Sequence, residues 1–164
     1  MSKARAITVA AGGISALVLA AVPIVQQYEG RRNDPYFDIA GILTVCDGET
    51  ANVQRRRYSD AECDAMAIRS LTKHANAIQA CYRPASTPMP TQVAYLSLAY
   101  NIGPTAFCAS TTSRRALAGD LSGSCEAMLR WNKIRKPVTR ELVFSKGLDN
   151  RRRDERRLCL EGLG

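Results

Sequence analysis

A single histidine, His74, serves the whole chain, and the six cysteines never form a Cys-x-x-Cys pair. Zinc sites of the usual kind need such clustered ligands, so neither zinc nor any other metal or cofactor is expected. Aromatic residues make up only 6% of the chain, with one tryptophan. The runs Arg55-Arg56-Arg57 and Arg151-Arg152-Arg153 therefore lack the interleaved aromatic platforms on which single-stranded nucleic acid stacks. Nucleic acid is not expected as a partner. There is no internal repeat and no low-complexity tract. No carboxylate appears before Glu29, and no charge of either sign lies between Ala6 and Val25.

That uncharged stretch, 6–25, matches the roughly 20 residues a helix needs to span a bilayer core. Lys3 and Arg5 precede it, so the positive-inside rule keeps the N-terminus cytoplasmic and sends the rest across the membrane in a single pass. Alanine, glycine and serine fill much of the run, which gives it a weak hold on lipid. Three readings compete: a cleaved export signal with small residues near Ala20-Ala21, an ordinary anchor, and a segment that inserts and later escapes. A buried core helix fits less well, because the run shows no polar face.

Turning to the rest, 164 residues suffice for one ordinary core plus an appendage. The expected division is 1–25 as a membrane segment and 26–164 as the functional domain. Lys3 and Arg5 contribute two of the eight net positive charges, so the part from Gln26 onward carries +6. Such a surface favours polyanions, an acidic cell wall among them. Cys46, Cys63, Cys81, Cys108, Cys125 and Cys159 read as a disulfide framework in an exported domain, with about 15 possible pairings. Buried free thiols are the alternative.

Past residue 25 the pattern predicts a helical turn, Val25 to Arg31, ended by Gly30 and Asn33-Asp34-Pro35. The stretch "YFDIAGILTVCDGET" then reads as a small hairpin or sheet. Ser59-Asp60-Ala61-Glu62 signals a capped helix running to about Cys81. Arg83 to Pro90 is a linker, and Thr91 is expected to cap "QVAYLSLAYNIG", a helix apolar almost all round and so central and buried. Shorter helices follow over 111–117, 124–131 and 151–160. The fold class is α+β, mainly α, with its small sheet near the N-terminus.

Glycosidic hydrolysis needs a proton donor on the leaving oxygen and a second carboxylate that activates water or supports the oxocarbenium-like transition state. Glu29 at a helix end and Asp38 on an adjoining strand are candidates for that pair, with Thr44 beyond them. The spacing Glu-x8-Asp-x5-Thr alone is weak, since two acids nine apart are common on solvated surfaces. It does not stand alone. Together with "LAYNIGPTAFCASTTSRRALAGD" over 98–120, Arg130-Trp131 and "GLDNRRRDERRLC" over 147–159, it resembles phage endolysins of the T4-lysozyme-like family. The resemblance covers nearly all of 26–164. Coupled to the weak N-terminal span, it resembles the signal-arrest-release type of that family.

The resemblance implies a lysozyme-like fold and a muramidase acting on bacterial peptidoglycan for host cell lysis, working as a monomer. It implies Glu29 as general acid, Asp38 as base or charge-stabilising carboxylate and Thr44 as a holder of the attacking water, with inversion at the anomeric carbon. Arg151 would orient Glu29. Asn101 would have a structural or cleft-lining role, and Trp131 would be core. Relatives commonly carry Gly-His where this chain has Gly48-Glu49, so Glu49 brings an extra acid near the pair. The tethered form would be inactive, and release to the periplasm would assemble the site. No cysteine precedes Cys46, which removes a thiol-exchange route to activation. A lytic transglycosylase and a non-catalytic wall-binding protein remain as alternatives.

Overall fold

The computed structural model describes residues 13–164. Its first element, α1 (Gly13–Glu29), contains the second half of the uncharged run. Leu17, Val18, Ala21 and Val25 recur at helical spacing and are almost wholly buried in the main core. Ser15, Leu19, Ala20 and Pro23 form the opposite, solvent side. The expectation that this run is unlike a core helix therefore fails for 13–25. Its outer face carries no charge, and Ser15 is the only polar group among those four residues. Burying Leu17, Val18 and Val25 is worth about 1.5–3 kcal/mol each. The helix crosses 25 and 26 without a break, so the division expected there falls inside one continuous element. Residues 6–12 of the expected span lie outside the described residues, and no described helix is long and apolar enough to cross a membrane.

Gly30, at φ +60°, ends α1 and turns the chain into β1 (Arg32–Phe37). β1 pairs antiparallel with β2 (Leu43–Cys46), and the register shifts between Arg32 and Tyr36, where Pro35 has no amide to donate. Asn33-Asp34-Pro35 thus forms a bulge inside a strand. Val45, Cys46, Tyr58 and Cys63 make a small separate core beneath this hairpin.

Helix α2 (Asp60–Ile78) opens with the expected capping box: the Ser59 hydroxyl accepts from the Glu62 amide while the Glu62 carboxylate accepts from the Ser59 amide. One turn of 3-10 helix, Gln79–Cys81, extends it. The central helix α3 (Met89–Ile102) is buried over Val93 to Ala99 and packs against α1, α2 and the C-terminal helix. It starts at Met89, two residues before the expected cap. Thr91 instead donates its hydroxyl to the Cys159 carbonyl at 2.8 Å, tying α3 to the end of the chain.

Short helices α4 (Pro104–Ala109), α5 (Thr111–Leu117) and α6 (Leu121–Ala127) follow. α5 lies where expected, whereas the helix expected over 124–131 is α6 plus a 3-10 turn, Met128–Arg130. A second hairpin, β3 (Lys133–Arg135) with β4 (Leu142–Phe144), was not anticipated. Ser145 then caps α7 (Lys146–Glu161), five residues ahead of its expected start. Three disulfides join Cys46 to Cys63, Cys81 to Cys108 and Cys125 to Cys159. Each closes one region of the fold.

Candidate active site

Glu29 is the last residue of α1, and its position is set from two sides. On one side Arg151, from the second turn of α7, donates Nη1 to Glu29 Oε1 at 2.7 Å. Arg151 is itself almost wholly buried and donates Nε to Glu155 Oε1 at 3.1 Å and Nη2 to the Ser97 carbonyl. Glu155 also accepts from the Ser97 hydroxyl at 2.6 Å and pairs with the fully buried Arg152. Burial pushes the Glu155 carboxyl up, while Arg152, Ser97 and Arg151 pull it down. A lone buried carboxylate would be costly, and two guanidiniums make it tolerable. Tyr28 adds a further hold: its ring lies under the Arg151 guanidinium, and its hydroxyl donates to Asp154 at 2.6 Å. Burial raises that phenol to about 12.

On the other side Arg31, just past Gly30, donates Nε and Nη2 to the two oxygens of Asp47 at 3.1 and 2.8 Å. Nη2 also reaches Asp64 on α2 at 2.7 Å. Gln26 donates to the same two carboxylates. Asp47 is buried on the turn after β2, so this cluster bolts the end of α1 to the hairpin and to α2. Hydrogen bonding to Asp47 raises the Arg31 guanidinium further above its ordinary value, and the Arg31 bond holds Asp64 below the ordinary carboxylate value. The sequence signal for Arg31, Asp47 and Asp64 was absent, because their pairing is made only by folding.

A cleft of about 910 Å³ opens beside Glu29. Its lining includes Asp47 and Glu49 from the turn after β2, Arg69, Lys73 and His74 from α2, and Tyr100 from α3. Glu49, expected as the extra acid, is therefore in the cleft with Glu29. One of its carboxyl oxygens is buried without a hydrogen-bond partner among the described residues. Burial raises the Glu49 pKa, with Ser70 and Arg69 pulling the other way. His74 Nδ1 lies 2.8 Å from the Ser70 carbonyl, which cannot donate, so that nitrogen carries the proton. Its ring sits 5.0 Å from that of Tyr100, whose phenol is raised by burial.

Asp38 and Thr44 are not in this lining. Asp38 Oδ1 accepts the amides of Ala40 and Ile42 at 2.8 and 2.9 Å, so the carboxylate holds its own hairpin turn in shape. Its Oδ2 has no partner among the described residues. Thr44, buried and opposite Tyr36 across the hairpin, donates its hydroxyl to the Ile42 carbonyl at 2.9 Å. The oxygen's acceptor capacity is left over. Asn101 is exposed on the last turn of α3 and outside the cleft lining. Tyr100 faces the cleft, and the next residue is turned about 100° away by the helix. Trp131 is partly buried against the main core, as expected. No group of three or more metal-ligating side chains occurs among the described residues.

A SAR-endolysin of Escherichia phage Mu is 36% identical over 156 residues, which cover 92% of this chain and 84% of that protein. The endolysin of Escherichia coli O157:H7 phage FAHEc1 superposes with a TM-score of 0.71 at 28% identity, covering 94% of each chain. P1 phage endolysin Lyz, at 24% identity, superposes in its active form with a TM-score of 0.74, covering 98% of both chains. Its secreted inactive form gives only 0.55, at 19% identity, over 96% of this chain and 98% of that one. Residues 26–155 match the phage lysozyme family, from the turn that delivers Glu29 to the buried carboxylate that braces its arginine, and the chain belongs to that family.

Proposed function

We propose that this protein is an endolysin that hydrolyses the β-1,4 bond between N-acetylmuramic acid and N-acetylglucosamine in peptidoglycan, acting as a monomer. The observation that carries this reading is Glu29 held at the cleft by a buried arginine. With Arg151 on Oε1, Oε2 is left to hold the proton that passes to the leaving sugar oxygen. Asp38 Oδ2 takes the proton of the attacking water, and the Thr44 hydroxyl oxygen accepts a hydrogen bond from that water. Attack from the face opposite Glu29 inverts the anomeric carbon. The basic surface suits an anionic wall.

Residues 6–25 serve a second purpose in this reading. They hold the newly made protein in the inner membrane with its N-terminus cytoplasmic, and their weak grip lets them leave for the periplasm. While 13–25 lie in lipid, the main core lacks Leu17, Val18, Ala21 and Val25. The end of α1 then cannot bring Glu29 to Arg151. Support comes from α1 itself, since this one helix, uncharged from Gly13 to Tyr28, supplies both an apolar run and a core stripe.

Digesting peptidoglycan with wild type, Glu29→Gln and Asp38→Asn, and examining the fragments by mass spectrometry, tests the chemistry. Reducing muramic acid ends that vanish in Glu29→Gln are expected. Anhydro ends that survive Asp38→Asn would make it a transglycosylase. For the tether, adding charged residues to the flanks of 6–25 should hold the protein in lipid and abolish lysis. Full-rate lysis by that variant would sink the idea.

A further inference from the structure

The hairpin β3 to β4 has no role in the site. Its exposed side chains nevertheless follow a pattern. Within 133–144 stand Ile134, Val138, Leu142 and Phe144, between 50% and 93% exposed. Lys133, Arg135, Lys136 and Arg140 share the segment with a single acid, Glu141. The ladder pairs Lys133 with Phe144 and Arg135 with Leu142, so one face of the hairpin sets two cations of β3 opposite two apolar groups of β4, while Ile134 lies opposite Val143 on the other face. Val138 projects at the tip beside Pro137.

Folding does not account for these apolar groups. A two-stranded ribbon is marginal in water, and single hydrophobic residues are normally scattered rather than gathered. The base of the hairpin is firm: the Ser145 amide donates to the Asn132 carbonyl at 2.9 Å, Asn132 donates to Asp149 at 3.0 Å, and Trp131 packs on the core. The tip is thus an exposed cationic and apolar ribbon on a fixed stem.

We propose that this hairpin docks the folded protein on an anionic phospholipid surface. Val138 and Leu142 toward the tip enter the boundary between headgroups and acyl chains, and Lys133, Arg135 and Arg140 meet lipid phosphates, while Lys136 stays paired with Glu141 at 3.2 Å. Aliphatic groups favour lipid over glycan, because sugar rings stack on flat aromatic faces and the ribbon carries only Phe144. Docking rests on the hairpin alone and stands or falls independently of the glycosidase reading.

The test is co-sedimentation of the full chain with vesicles of phosphatidylcholine alone and of phosphatidylcholine with three-tenths phosphatidylglycerol. Because residues 6–25 also have affinity for lipid in the reading above, the informative comparison keeps them constant. Wild type is set against the double variants Val138→Ser with Leu142→Ser and Lys133→Glu with Arg135→Glu. Each pair should lower partitioning onto the anionic vesicles at least tenfold, with cleavage of purified peptidoglycan unchanged. A separate variant, Val138→Trp, should show an emission blue shift on anionic vesicles and quenching by brominated acyl chains. Equal vesicle binding by wild type and both double variants would overturn the proposal. So would binding to insoluble peptidoglycan that depends on these residues while vesicle binding does not, which would make the ribbon a wall-binding patch.

Discussion

Glu29 and Asp38 lie nine residues apart and are positioned by opposite means. Glu29 is fixed by distant partners: Arg151 and, through it, Glu155 and Ser97 on one side, and the Arg31 cluster on the other. Asp38 is fixed by the amides of Ala40 and Ile42, two and four residues further along its own turn. One carboxylate reports on the state of the whole core, whereas the other is in place as soon as a hairpin forms. The proposed site would then have a permanent half and a conditional half.

Substitutions can break that contrast, beginning with the largest effect. Glu29→Gln should lower peptidoglycan cleavage by roughly 10³-fold, in the range of lost general acids, with little change in thermal midpoint. The amide oxygen of glutamine still accepts from Arg151. Arg151→Ala should cost both properties. It leaves Glu155 buried with one partner fewer, for a stability loss of about 3–5 kcal/mol by urea titration, and frees Glu29 to wander, for about 10²-fold in rate. Arg151→Lys should restore part of the stability and little of the rate, because an ammonium cannot reach Glu29, Glu155 and Ser97 together.

Asp38 should separate chemistry from shape. Asp38→Asn keeps an oxygen for the two amides, so the midpoint should hold while the rate falls by about 10². Asp38→Ala should lose the rate and also about 1 kcal/mol of stability, since the turn loses its acceptor. Equal stability in the two variants would show that the turn needs no carboxylate.

The smallest effect concerns Glu49. Burial raises its folded pKa above the unfolded value, so the stability it contributes is complete below the unfolded pKa and is lost as pH rises through the folded one. Glu49→Gln should therefore raise the thermal midpoint at pH 7 by roughly 1–3 °C, a gain that fades toward pH 4. Glu62 runs the other way. Its bonds to Arg56 and the Ser59 amide hold its folded pKa at about 2, below the unfolded value, so its contribution is lost as pH falls toward that value.

The helices were legible where local chemistry speaks. Ser59 and Glu62 announced α2 by side chain to backbone reciprocity, and α3 was visible as a helix apolar all round. β3 and β4 were hidden because three-residue strands show no period, and Lys136-Pro137 lies in the hairpin's own turn. The start of α7 was missed because Ser145 was not recognised as its cap. Within the candidate site, Glu29, Asp38, Thr44 and Arg151 were chosen through family resemblance, whereas Arg31, Asp47 and Asp64 became visible only in the fold. Their charges pair across 16 and 33 residues, a distance at which no spacing rule operates.

The three disulfides all join cysteines at position 46 or later, so α1 is held in the core without a covalent link. If residues 6–25 tether the protein as proposed, oxidation and arming would be separate chemical events. The cross-linked frame would form and lock on the outer side of the membrane while α1 is still elsewhere. What arrives last would be a removable plug with Glu29 at its tip, and activation would be a docking step within one chain rather than a bond made or broken.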